Sequence, residues 1–260
     1  MKILGGIRMS NRVVLITGAS KGIGKATAMA FLAQGDTVIV NYNSDAKGAQ
    51  EVCDKAAELG LDSMMVQADL TKMEDIKRMF AEVFAKYETI DILVNNAGIS
   101  HEKYFLDTDE ADFELVNSLD WRGTYFSALY TAKNMIAHDK KGLIINVSSN
   151  QAVGCWPRAA IYAPVKAAVT KFTQNAAMEL APHGIRMVGI APGYTDTGWP
   201  ADSHLHDAKK LLPLKSFATP EDIGESIVFL ASPAAKYMTG SVLTIDGGAT
   251  LPVVACNDFV

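Results

Sequence analysis

The sequence feature that most constrains the fold is a regular alternation of short Val- and Ile-rich runs with longer stretches of helical period. Such alternation is typical of βαβ units that build a parallel sheet. The runs are predominantly apolar and do not alternate with polar residues, which predicts strands covered by helices on both faces. Seven strands are predicted, over residues 13–16, 37–40, 63–66, 92–94, 143–147, 187–190 and 242–245.

Helical spacing of apolar residues predicts six helices between these strands, over 23–34, 46–59, 73–87, 111–136, 167–180 and 221–231. Two starts carry capping signals. Thr71 with Glu74 has the pattern of a capping box, and Thr219 precedes a proline that suits the first helical turn. No linker or repeat interrupts the chain, so residues 10–260 are predicted to form one doubly wound α/β domain behind a flexible extension at 1–9. Met1 and Met9 are alternative starts.

Charge and cysteine content exclude several classes of protein. With 24 Lys+Arg against 29 Asp+Glu, the net charge is −5, and no basic run is present that would follow a phosphate backbone, so we expect no nucleic-acid partner. The three cysteines are widely spaced, which predicts neither a disulfide framework nor a metal site. No apolar run is long enough to cross a bilayer, and a cytoplasmic protein is expected.

A glycine-rich loop, TGASKGIGKATA, follows the first predicted strand. It spaces Gly18, Gly22 and Gly24 as GxxxGxG directly before a helix. Glycine permits the backbone angles of a tight turn and the close approach of the main chain to a pyrophosphate. The helix amino terminus adds N–H donors and partial positive charge. The loop predicts a nucleotide site, although an isolated glycine pattern is also compatible with an ordinary tight turn.

The segment YAPVK places Tyr162 and Lys166 four residues apart, on one face of a helix. Hydride transfer to a carbonyl requires a proton from a positioned acid. Tyrosine ordinarily keeps its proton up to about pH 10, and a nearby ammonium favours the phenolate. Ser149, at the end of a predicted strand, can donate to the developing oxyanion, whereas Ser148 is expected to face the structure. Pro164 is tolerated if the helix begins at Ile161 or Tyr162.

Taken together, these motifs resemble the short-chain dehydrogenase/reductase family over about residues 13–248, with TGxxxGIG, NNAG and PGYTDT in family order. The 3-oxoacyl carrier-protein reductases and glucose 1-dehydrogenase-like members are the most similar types. The resemblance implies a Rossmann-type fold and hydride transfer between a nicotinamide cofactor and a carbonyl or secondary alcohol. It assigns the cofactor to Gly18, Ser20, Lys21, Gly22, Ile23, Gly24, Asn41, Asp69, Leu70, Asn96, Ala97, Gly98, Tyr162, Lys166, Pro192, Gly193, Thr195 and Thr197.

The preferred cofactor is predicted from the end of the second strand. An acidic residue there binds the ribose diol and repels a 2′-phosphate. This chain has Asn41 in that region and Lys21 in the glycine loop, where an ammonium can pair with the phosphate. NADP(H) is therefore predicted, and NAD stays an alternative.

One catalytic position departs from the family. Asp120 aligns with the asparagine of the NxxG segment, which in relatives sits at a distortion of the long helix and holds a water through its carbonyl. Aspartate keeps that carbonyl but adds a negative charge near Lys166. A carboxylate would anchor the ammonium and partly cancel its effect on Tyr162, so we expect activity with a pH optimum shifted upward.

Substrate contacts are expected from loops beyond the carboxyl ends of the strands, with Trp156, Arg158, Tyr194 and Trp199 as candidates. A surface salt bridge is an equal alternative for Arg158. The polar loops favour a sugar, polyol or other polar ketone. The apolar tail at 249–260 predicts a subunit interface in a homotetramer, as in relatives. A second hypothesis is a nucleotide-binding regulatory or scaffold protein, with turnover impaired by Asp120.

Overall fold

The computed structural model describes residues 3–4, 7–8, 11–199 and 205–251. Of the predicted extension at 1–9, it describes only a short antiparallel pair, Ile3–Leu4 with Ile7–Arg8. The predicted interface tail lies outside the described residues from position 252 onward.

A seven-stranded parallel sheet forms the centre of the molecule. Its spatial order is β3-β2-β1-β4-β5-β6-β7, so the strand order reverses between β1 and β4. This confirms the predicted doubly wound fold. The strands are β1 (Val13–Ile16), β2 (Thr37–Tyr42), β3 (Ser63–Gln67), β4 (Ile92–Asn95), β5 (Leu143–Val147), β6 (Arg186–Pro192) and β7 (Val242–Ile245).

Helices cover both faces of the sheet, as the continuous apolar strands predict. Alternate side chains of one strand enter opposite cores: Val14 packs with Phe31 on one face, and Leu15 packs with Met79 on the other. The helices are α1 (Gly22–Ala33), α2 (Ala46–Glu58), α3 (Met73–Tyr87), α4 (Glu110–Val116), α5 (Thr124–Ala137), α6 (Tyr162–Leu180), α7 (Leu205–Ala208) and α8 (Pro220–Leu230).

Two helix predictions need correction. The helix predicted over 111–136 is divided, because a π-helical turn, Asn117–Gly123, separates α4 from α5. The capping box at Thr71 is wrong: its hydroxyl donates to Asp69, and the residue that precedes α3 is Lys72, without a side-chain cap.

Two local predictions are confirmed. Thr219 caps α8 in a capping box with Asp222, ahead of the proline at the first helical position. Helix α6 begins at Tyr162, so Pro164 falls in its first turn, where a missing N–H breaks no helical hydrogen bond. Within the described ranges, no helix is long and apolar enough to cross a membrane.

Candidate active site

A cleft of about 910 Å³ opens at the carboxyl ends of the strands. Doubly wound folds bind ligands there, where the strand order reverses. All the site residues predicted from the sequence line this cleft except Arg158. The fold thus brings together the glycine loop, the segments that follow β2, β3, β4 and β6, and the start of α6.

The glycine loop has the geometry of a phosphate cradle. Gly18 and Gly22 have φ values of +63° and +53°, which L side chains rarely adopt. A Cβ on Gly24 would lie 2.3 Å from the Gly18 carbonyl oxygen, so the loop closes tightly only with glycine there. Lys21, which precedes α1, makes no side-chain cap. The first N–H groups of α1 are therefore not capped by that side chain and suit an anion.

Buried polar side chains hold the loop in place. Asn96 donates to the carbonyl oxygens of Thr17 and Gly18 at 2.9 and 3.1 Å. Asn41 accepts the Gly18 N–H at 3.2 Å, and its amide nitrogen lies 3.4 Å from the Val66 carbonyl oxygen. Asn41 is only 2% exposed. Asn41 therefore stabilises the glycine loop from inside the protein.

The outer end of the cleft includes residues that the sequence patterns do not reveal, namely Asn43, Ser44, Asp45 and Thr71. The Asp45 carboxylate caps α2 by accepting the Gly48 N–H at 3.0 Å. Asp69 accepts the N–H and the hydroxyl of Thr71 at 3.0 and 2.7 Å. Burial opposes ionisation of Asp69, but these hydrogen bonds and Lys72 keep its pKa below the ordinary value.

At the inner end, Ser149, Tyr162 and Lys166 line the same cleft. Ser149 lies two residues beyond the end of β5 and is 7% exposed, with its hydroxyl accepting the Gln151 N–H at 3.2 Å. Ser148 instead contacts α6, because its hydroxyl donates to the Lys166 carbonyl at 2.9 Å. The structural role expected for Ser148 is confirmed. The Lys166 ammonium lies 5.5 Å from the centre of the Tyr162 ring.

Lys166 and Asp120 form a buried ion pair. The Lys166 Nζ is 3.1 Å from Asp120 Oδ2 and also donates to the Val147 carbonyl at 3.1 Å. Burial lowers the pKa of Lys166, but the negative charges of Asp120 and Tyr162 and the hydrogen bond with Asp120 raise it above the ordinary value. The sequence predicted a carboxylate near this ammonium, and the structure places the two groups in contact.

The part of the cleft lined by Trp156, Tyr194 and Trp199 has an aromatic wall. The Trp156 indole donates to the Tyr194 hydroxyl at 3.2 Å, and Trp199 meets the Tyr194 ring edge-on at 6.4 Å between ring centres. Phe217 packs behind them, 5.1 Å from Trp199. Leu115 and Leu119 add aliphatic surface to the cleft. This region is more apolar than the loop sequences suggest.

Arg158 does not reach the cleft. Its exposed guanidinium stacks on the Tyr104 ring at 4.8 Å, and its backbone has a φ of +66°. The Arg158 carbonyl accepts the Lys103 N–H at 3.0 Å. This pairing with the loop after β4 directs the side chain outward. Neither this pairing nor the π-helical turn has a short-range sequence signal, since both depend on contacts between distant segments.

Comparisons with known proteins agree with this geometry. A family model described as Enoyl-(Acyl carrier protein) reductase matches residues 18–250. The 3-oxoacyl-(acyl-carrier-protein) reductase of Synechocystis sp. is 34% identical over 94% of this chain and 98% of its own length. The 3beta-hydroxysteroid dehydrogenase 1 of Eggerthella lenta is 34% identical over 94% of this chain and 95% of its own.

A solved structure extends the likeness to three dimensions. A short-chain dehydrogenase from Burkholderia cenocepacia, in complex with NADP, superposes with a TM-score of 0.88 at 30% identity, over 93% of this chain and 99% of that one. The sequence matches, the order of the strands and the position of the cleft, where that order reverses, all indicate the same family. The chain belongs to the short-chain dehydrogenase/reductase family of NAD(P)-dependent oxidoreductases.

Proposed function

We propose that this protein is an NADP(H)-dependent carbonyl reductase or secondary-alcohol dehydrogenase. The observation that carries the proposal is the shared cleft, in which Ser149, Tyr162 and Lys166 stand at the inner end and the glycine loop at the other. The cradle fits a nicotinamide cofactor because a side chain on Gly24 would close it and the first turn of α1 offers N–H donors. When bound, the nicotinamide supplies or accepts the hydride.

The side chains of the protein then orient the substrate and the cofactor and transfer the proton. Ser149 donates its hydroxyl to the substrate carbonyl oxygen and fixes its position. Tyr162 gives its phenolic proton to that oxygen during reduction and takes it back during oxidation. Lys166 orients the cofactor ribose and favours the phenolate through its positive charge. Asn96, Ala97 and Gly98 are proposed to meet the adenosine ribose, and Thr197 the carboxamide.

The cleft favours a ketone with an apolar body. The polar residues of the loops predict a sugar, polyol or other polar ketone. In the part of the cleft that we propose for the substrate, aromatic and aliphatic side chains, with Trp156, Tyr194 and Leu119 among them, stand beside the polar Glu102 and Gln151. Burial of apolar substrate surface against such a wall contributes about 25 cal/mol per Å². We therefore propose alicyclic or aryl ketones and β-ketoesters as the substrate class, a choice that the two named relatives also support.

The direct test is consumption of NADPH with matched substrate pairs. Cyclic ketones, aryl ketones and β-ketoesters are compared with ketoses of similar size. We expect kcat/KM for the apolar ketones to be at least about tenfold higher, which corresponds to about 1.4 kcal/mol. Turnover of ketoses alone would contradict the substrate class, and failure of every carbonyl compound while NADPH binds would contradict the proposed activity.

A preference for NADP(H) rests on charge at the outer end of the cleft. Lys21 is exposed there and has no ion pair among the residues that the structure describes. The second strand ends without a carboxylate, and the nearby Asp45 is engaged in capping α2. A 2′-phosphate in this region would meet an unpaired ammonium.

Replacing Lys21 with alanine is expected to lower the ratio of kcat/KM for NADPH to that for NADH by about tenfold, because one charge-assisted contact of about 1.5 kcal/mol is lost. The ratio is obtained from steady-state rates at one ionic strength. Lys55→Ala removes an exposed lysine that pairs with Glu58 on α2, and it should leave the ratio unchanged. An equal fall in both variants would show that Lys21 does not recognise the phosphate.

We also propose a homotetramer. Apolar side chains stay exposed on α4 and α5, including Phe113, Tyr125 and Ile136. Large apolar side chains exposed on two consecutive helices favour an interface with another chain. Light scattering coupled to size exclusion, at micromolar concentration, should give the mass of four chains. A single-chain mass across the concentration range would refute the proposal.

A further inference from the structure

Asp120 makes a separate contact through each of its carboxylate oxygens. Oδ1 accepts the backbone N–H of Ile99 at 3.0 Å, and Oδ2 lies 3.1 Å from the Lys166 ammonium. The two side chains of the ion pair are 0% and 5% exposed, so water does not screen their interaction. Asp120 therefore connects the loop after β4 with the start of α6.

Local geometry suits this double contact. Asp120 lies within the π-helical turn between α4 and α5, and such turns are frequent at functional sites. A Cβ on Gly98 would lie 2.6 Å from Asp120 Oδ2, so the close approach of loop and carboxylate requires glycine at this position. Gly98 and Ile99 line the same cleft as Tyr162 and Lys166. The Asp120 carboxylate thus stabilises the backbone of Gly98 and Ile99, which lines the cleft.

The charge of Asp120 has a second effect. The groups that act electrostatically on Lys166 among the described residues are Asp120 and Tyr162. Arg122, on the same turn as Asp120, points away and donates to the Thr71 carbonyl at 2.7 Å. Glu102 and Asp69 also line the cleft but form no ion pair with Lys166. Tyr162 therefore faces an ammonium whose positive charge is offset by a carboxylate 3.1 Å away.

We infer that Asp120 is a positioning residue that holds the Lys166 ammonium and the Gly98–Ile99 backbone together, and that its negative charge moves the working pH range of Tyr162 upward. This inference rests on the proposed acid/base role of Tyr162. In a relative with an uncharged amide at this position, no carboxylate offsets the positive charge of the lysine. The Asp120 carboxylate thus gives this chain a pH dependence of its own.

Two neutral variants test the charge, Asp120→Asn and Asp120→Ser. Both keep an acceptor within the turn, and Asn also keeps the shape. We expect the acid limb of the alcohol-oxidation profile to move to lower pH by about one unit in each. Glu114→Gln removes the same charge from an exposed site on α4 and should shift the limb by less than about 0.2 unit.

A second readout does not depend on turnover. In the NADP⁺ complex, the near-ultraviolet absorbance of the phenolate is titrated with pH, and the trace of a Tyr162→Phe chain is subtracted to isolate Tyr162. The same downward shift is expected in Asp120→Asn. An unchanged titration and an unchanged rate profile in both neutral variants would overturn the inference. If no substrate turns over but the titration still shifts, the proposed activity fails and the role of Asp120 stands.

Discussion

Replacement of Tyr162 by phenylalanine is expected to lower kcat by about a thousandfold while cofactor affinity changes little. General acid–base groups contribute about 10² to 10⁴ in rate. The phenol of Tyr162 lies beside Lys166 in the cleft and is the proton donor that we propose. The change removes one oxygen atom and keeps the ring, so the first turn of α6 should stay intact. The measurement is kcat for ketone reduction by NADPH, with the dissociation constant of NADPH from fluorescence.

The matched control for this prediction is Tyr104→Phe. Tyr104 is an exposed tyrosine whose ring stacks under Arg158, outside the cleft. It should retain kcat within about twofold, as expected for a surface substitution. A Tyr162→Phe enzyme that keeps more than about a tenth of the original kcat would show that another group delivers the proton.

Lys166→Met is expected to destabilise the fold as well as abolish turnover. Methionine leaves the Asp120 carboxylate buried without its partner, and breaking a buried ion pair in this way costs about 3–5 kcal/mol. The free energy of unfolding is measured by urea titration at neutral pH. Lys25→Met, which removes the partly exposed pair with Glu51, should cost less than about 1 kcal/mol.

A double variant separates stability from chemistry. Asp120→Leu combined with Lys166→Met replaces the buried pair with two apolar side chains, a change that is often neutral for stability. We expect the double variant to recover most of the lost free energy and none of the activity. If Lys166→Met alone were as stable as the original chain, the pair with Asp120 would not contribute to the fold.

Much of the fold follows from short-range sequence patterns. The runs at 13–16 and 143–147 coincide with β1 and β5, because strands covered on both faces need mainly apolar side chains. The run at 242–245 coincides with β7, which lies at the edge of the sheet and is only partly buried. The start of α6 was predictable since proline restricts where a helix begins. Glycine spacing likewise located the tight loop before α1, whose positive φ values depend on local backbone sterics.

Other features depend on tertiary contacts and have no local signal. The π-helical turn places Asp120 against Ile99 and Lys166, which lie 21 and 46 residues away along the chain. Arg158 is directed away from the cleft by the backbone pairing of its segment with Lys103. Thr71 has the sequence of a cap, but its hydroxyl bonds Asp69 instead. In each case a partner distant in sequence, or a competing side chain, determines the geometry.

We propose hydride transfer from NADPH to a substrate carbonyl in the cleft that contains Ser149, Tyr162 and Lys166. Its most direct test uses NADPH deuterated at the transferring position of the nicotinamide, with mass analysis of the alcohol formed from the best ketone. We predict one deuterium on the carbinol carbon, formed by the original chain and not by Tyr162→Phe in the same time. NADPH binding without label in any product, or labelling that is equally fast in the Tyr162→Phe enzyme, would contradict the account.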